Sequence, residues 1–81
     1  MDQLTDIERL VYDAISEIQD IKRAGGQSPD YAMHFEINNF LRPELPPGFE
    51  TSILKALRLL CRRRLIDFHH TVNGLIMFGI K

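Results

Sequence analysis

Residues 65–80 read LIDFHHTVNGLIMFGI, two runs rich in β-branched and aromatic residues on either side of an Asn-Gly pair, the signature of a β-hairpin. Its register follows from which side chains can be buried together. A two-residue type I′ turn at Asn73-Gly74 pairs Val72 with Leu75 and leaves large apolar groups on both faces, with Phe68 and Met77 on one and Ile76, Phe78 and Ile80 on the other. A three-residue loop Val72-Asn73-Gly74, closed by a left-handed Gly74 in a bulge, pairs Thr71 with Leu75 instead. Ile66, Phe68, His70, Ile76, Phe78 and Ile80 then share one face, and Asp67, His69, Thr71, Leu75, Met77 and Gly79 the other. Burying a single face specifies register, so the second arrangement is predicted, with strands over about 65–71 and 75–80 and Phe68 opposite Phe78.

Upstream the periodicity changes from two to about 3.6. In TDIE, Thr5 and Glu8 have the spacing of a capping box, which starts a helix over residues 6–24. Ile7, Leu10, Val11, Ala14, Ile15, Ile18 and Ile21 follow at three- and four-residue steps and form one apolar stripe about 140° wide. Lys22 and Arg23 suit the negative end of the helix dipole, and Gly25-Gly26 supply the stop. Asp6, Asp13, Glu17 and Asp20 gather on the outer flank and read as a solvated acidic face.

In the middle, Met33, Ile37, Phe40 and Leu41 share one helical face, so a helix is predicted over residues 34–42. Two starts compete. Ser28-Pro29 could cap a helix beginning at residue 29, or Tyr31-Ala32-Met33 could be a short extended piece with the helix starting near His34. Pro43 and the stiff loop PELPPG end this segment. A third helix over residues 51–63 buries Ile53, Ala56, Leu57 and Leu60, widened by Leu54 and Cys61. Thr51, Lys55, Arg58 and Arg62, at steps of four, three and four, fall within about 60° of one another on its opposite side, with Leu59 left outside beside them. The predicted fold is therefore α+β and mostly helical, three helices followed by a C-terminal two-stranded hairpin, in one domain spanning residues 1–81.

A chain of 81 residues supports one small core and leaves little room for a buried catalytic cleft. Hydrophobic residues at 44% and charged residues at 26% are the balance of a folded chain. A single cysteine, Cys61, excludes an internal disulfide framework; with no signal-like N-terminus and no apolar run of about 20 residues, a cytoplasmic, non-membrane location is expected. The net charge of −1 conceals an asymmetry. Residues 1–40 carry eight acids and three bases, for −5, whereas residues 41–81 carry three acids and seven bases, for +4. One half is suited to phosphate and the other is not.

The element order, with FEINNFL as second helix, ETSILKALRLLCRRRLI as third helix and exit, and DFHHTVNGLIMFGI as hairpin, resembles the winged helix-turn-helix superfamily over roughly residues 6–80. In that family the third helix enters the DNA major groove and the hairpin, or wing, touches backbone or minor groove. The resemblance implies that Thr51, Ser52, Lys55, Arg58 and Arg62 face the groove and that Asn73 sits at the wing tip. Family members commonly have glycine before the apolar pair that opens the wing, where this chain has Arg64, and the tip HTVNG carries no Lys or Arg.

Other chemistries are less well served. Cys61, His69, His70 and His34 include no close ligand pair of the C-x2-C or H-x3-H kind, and adjacent histidines on a strand point to opposite faces, His70 inward and His69 outward in the chosen register. No metal, cofactor or catalytic residue is expected, since Cys61 lies on an apolar helix face and Gly25-Gly26 follows a helix instead of opening one. Arg63 and Arg64 read as charges complementing the helix end. The expected function is binding of double-stranded DNA in a regulatory or architectural role in transcription or DNA maintenance, as a homodimer. The alternative is a winged-helix adaptor that binds a protein, with Tyr12, Leu59, Leu75 and Met77 as its apolar contact residues.

Overall fold

A computed structural model describes residues 4–28 and 30–81. The fold is mixed α+β and mostly helical, as predicted, but the sheet has three antiparallel strands where two were expected. Helix α1 spans Asp6–Ala24 and opens on the capping box: the Thr5 N–H donates to Glu8 Oε1 at 2.8 Å, and the Glu8 N–H donates to Thr5 Oγ1 at 3.3 Å. Val11, Ala14, Ile15 and Ile18 point into the core. Ile21, placed on the same stripe from sequence, is instead 64% exposed. The inward positions of the last two turns belong to Gln19 and Lys22, whose polar ends meet main-chain groups that Ile21 could not satisfy.

The extended reading of the middle is the one adopted. Strand β1 is the pair Ala32–Met33, and helix α2 runs His34–Leu41 into a single 3-10 turn at Arg42–Glu44. Pro29, the residue of the alternative start, lies outside the described residues, and no helix passes through 32–33. Met33 accordingly sits in a strand opposite Met77, not on the face of α2, and its N–H donates to Glu36 Oε1 at 2.8 Å. Lys22 Nζ donates to the same carboxylate at 2.6 Å and to the Tyr31 carbonyl at 2.8 Å, which binds α1 to the start of α2. Ile37 and Leu41 are buried, with Phe40 packed at the core margin.

Helix α3 spans Phe49–Arg62 and buries Phe49, Ile53, Ala56, Leu57 and Leu60. It starts ahead of the predicted residue 51 because Phe49 is drawn into the core. At its end Arg64 adopts φ 61°, the conformation for which the winged-helix resemblance expects glycine. The Leu65 N–H bonds to the Leu60 carbonyl at 3.1 Å and the Arg64 N–H to the Cys61 carbonyl at 3.0 Å, the two bonds of a Schellman cap. These bonds, with the burial of Ile66 just beyond, hold a residue at a conformation that costs about 1 kcal/mol.

Strands β2 (Ile66–His70) and β3 (Ile76–Ile80) take the predicted register, with Phe68 opposite Phe78. The loop closes as expected: Gly74 has φ 81°, and the Thr71 N–H donates to the Leu75 carbonyl at 2.8 Å. β3 is central, flanked by β1 and β2. Ile66 and Phe78 of the inner face are buried, but Phe68 is 52% exposed and His70 is exposed, which corrects the expectation that His70 enters the core. The helices cover the base of the hairpin and stop short of its outer end. On the other face the Tyr31 ring lies against Gly79, where an added Cβ would come within 2.6 Å of the ring, and stacks on His69 at 5.1 Å.

Candidate nucleic-acid interface

Each side chain assigned to the basic stripe is displayed by α3. Thr51, Ser52, Lys55, Arg58 and Arg62 are all exposed, because the opposite side of the helix is consumed by the core. None of Lys55, Arg58 and Arg62 forms an ion pair with another described residue. Of the other cations, Lys22 is held by Glu36, Arg23 by Asp20 and Asp30, Arg63 lies 3.7 Å from Glu8, and Lys81 lies 3.4 Å from Asp67, while Arg9, Arg42 and Arg64 are exposed and, like the stripe, form no ion pair with a described residue. The stripe therefore faces solvent without an ion-pair partner among the described residues. Glu50, exposed in the first turn of α3, is the acid nearest to it in sequence.

The hairpin tip adds little charge. Asn73 is exposed there beside a fully exposed Val72. His69 is engaged by Tyr31, and the His70 ring packs edge-on against Phe68 at 6.0 Å.

Between α3 and the hairpin lies a feature that the sequence reading missed, an apolar groove of about 270 Å³ lined by Leu54, Leu57, Cys61, Phe68 and Phe78, with Arg58 at its rim. The sequence signal for it was the surplus of apolar residues flanking the core face of α3, Leu54 and Cys61. Burial pushes the Cys61 thiol above its ordinary value, reinforced by Asp67 and offset by Lys81, which keeps it an uncharged thiol at neutral pH.

The residues assigned to a protein surface are spread over separate parts of the fold. Tyr12 is half-buried and packed against the core, not outward. Leu59 is half-buried in a shallow recess with Thr5, Ile7 and Lys55, whereas Leu75, 47% exposed, lines a different recess with Met33 and Phe35. Met77 is half-buried because β1 adds a strand beside it.

Among the described residues no group of three His, Cys, Asp or Glu side chains is placed to hold a metal ion, and no helix is long and apolar enough to cross a membrane. No protein-family model matches the chain, and no curated protein or solved structure is found to be similar to it.

Proposed function

We propose that the protein is a winged-helix protein that binds duplex DNA through α3, in a regulatory or architectural role. One observation carries this reading: three exposed cations that form no ion pair with a described residue, aligned along one face of the third helix and headed by Thr51 and Ser52. Lys55, Arg58 and Arg62 would meet phosphates and guanine edges, where Arg offers bidentate bonds. Thr51 and Ser52 would bond the backbone at the helix N-terminus, and Asn73 would approach it from the wing tip. The acidic flank of α1 would be held away from the duplex.

The test is fluorescence anisotropy of a labelled random-sequence duplex titrated with the protein over a salt series. Three phosphates neutralised predict a log–log salt slope of about −2.7. Absence of binding at low salt would overturn the reading.

The groove beside Phe68 favours a second reading, an adaptor that accepts a protein at the α3–hairpin boundary. A duplex that binds with no loss on substitution of the stripe, or does not bind at all, would move the function to that groove.

A further inference from the structure

Strand β2 forms an edge of the sheet, and its main chain is open on one side. The bonds from Thr71 to Leu75 and from Lys81 to Leu65 set the phase of the β2–β3 ladder, so Asp67 and His69 bond toward β3. Ile66, Phe68 and His70 therefore direct their N–H and C=O groups away from the sheet, and no described residue bonds them there. The usual devices that blunt such an edge, a lysine, a proline or a bulge, are absent from IDFHH. Instead it carries Phe68, 52% exposed beside the apolar groove.

We propose that this edge pairs with the same edge of a second copy of the chain, antiparallel and centred on Phe68, joining two three-stranded sheets into one. The occupant is identified by self-complementarity. With Phe68 opposite Phe68 of the other copy, Ile66 faces His70 and every outward N–H and C=O of the three residues has a partner. Asp67 then faces His69 of the second copy, and His69 faces Asp67, on the face where Asp67 and His69 stand apart from the core. These are non-hydrogen-bonded positions, at which side chains approach most closely. Sliding the strands by one pleat in one direction sets Asp67 against Asp67, where like charges oppose it, and in the other sets His69 against His69; only the centred register keeps both Asp67–His69 contacts. The two Phe68 rings meet on the groove side, where each lengthens the apolar wall of the other's groove. The two-fold axis stands perpendicular to the sheet, which leaves both copies of α3 on the same side of it. The pairing is independent of whether α3 meets DNA.

Sedimentation equilibrium of the full chain, from about 10 μM to about 1 mM, should show the mass rising from one copy of 9.4 kDa to two. Phe68→Lys should hold the mass at one copy throughout while melting cooperatively. To place the contact independently of stability, F68C in a C61A background should oxidise to a disulfide-linked dimer, because facing positions of this kind lie about 5.5 Å apart at Cα, within disulfide reach. V72C in the same background, at the hairpin tip, should link far more slowly. A wild-type mass of one copy at every concentration would overturn the proposal. So would a dimer that Phe68→Lys leaves intact, or cross-linking at position 72 that matches or exceeds that at position 68.

Discussion

The side-chain oxygen of Gln19 accepts the main-chain N–H of Ile80 at 2.9 Å, joining the C-terminal half of the first helix to the last strand. Strand β1 is only Ala32–Met33, and its register with β3 would place residue 30 opposite Ile80, beyond the strand's end. Gln19, 2% exposed, takes the place of the missing strand partner. A buried amide in an otherwise apolar stripe is thereby explained as the completion of the sheet from the helix side.

Replacing Gln19 with Leu should fill the space and leave the Ile80 N–H unpaired. The expected loss is about 1–3 kcal/mol in urea denaturation, with the Ile80 amide exchanging faster than its neighbours in β3. A change of less than a few tenths of a kcal/mol would show that water replaces the side chain at no cost.

Glu8 predicts a pH dependence. Its carboxyl is held below the ordinary value of 4.5, first by the Thr5 main-chain N–H, against the opposing effect of burial, and further by the Thr5 hydroxyl and the Arg63 charge. A folded-state pKa below the unfolded one means stability that is present above the unfolded value and lost as pH falls through the folded value. Glu8→Gln should therefore cost about 1 kcal/mol near neutrality. The gap between variant and wild type should close below the ordinary carboxylate range, as read from melting curves at pH about 7 and about 3. A gap independent of pH would remove the charge from the account.

Arg64 stands at φ 61°, so Arg64→Gly should relieve strain without disturbing the two cap bonds. Stability should rise by up to about 1 kcal/mol, equivalent to about 4–8 °C in Tm for a domain of this size. Arg64→Val, β-branched at a positive φ, should lower it. If both variants melt with the wild type, the helix exit tolerates either conformation.

On the stripe, Lys55→Ala should weaken duplex binding about equally for all sequences and reduce the salt slope by about 1, with Tm unchanged because Lys55 touches no other described residue through an ion pair. Arg58→Ala should act more strongly if it reads a base edge, and would then relax preference at one position of a selected site. Unchanged affinity in both would exclude the stripe from DNA contact.

The parts legible in the sequence were those decided by local patterns. Thr5 and Glu8 marked the start of α1, and the alternation around Val72-Asn73-Gly74 specified the hairpin register that pairs Phe68 with Phe78. The stripe of Lys55, Arg58 and Arg62 followed from the 3.6-residue period alone, since the core side of α3 leaves no other direction for it. The candidate interface was thus readable as a set of residues, while its lack of ion-pair partners among the described residues was not.

Contacts between elements distant in sequence were decided only in three dimensions. Residues 31–33 could be read as extended or helical, because two or three residues carry no periodicity that decides; Ala32-Met33 form a strand because the free edge of β3 offers them hydrogen bonds. His70 and Ile21 have the period of buried residues but lie past the ends of what covers them, and periodicity assigns a direction without a length. Lys22 was read only as a charge complementing the helix dipole, and nothing in the sequence singled out Gln19; both turn inward because main-chain groups at Tyr31 and Ile80 find their partners there. Sequence determined which face of each element turns inward; the tertiary structure decided how far the inside extends, because burial depends on what the neighbouring element covers.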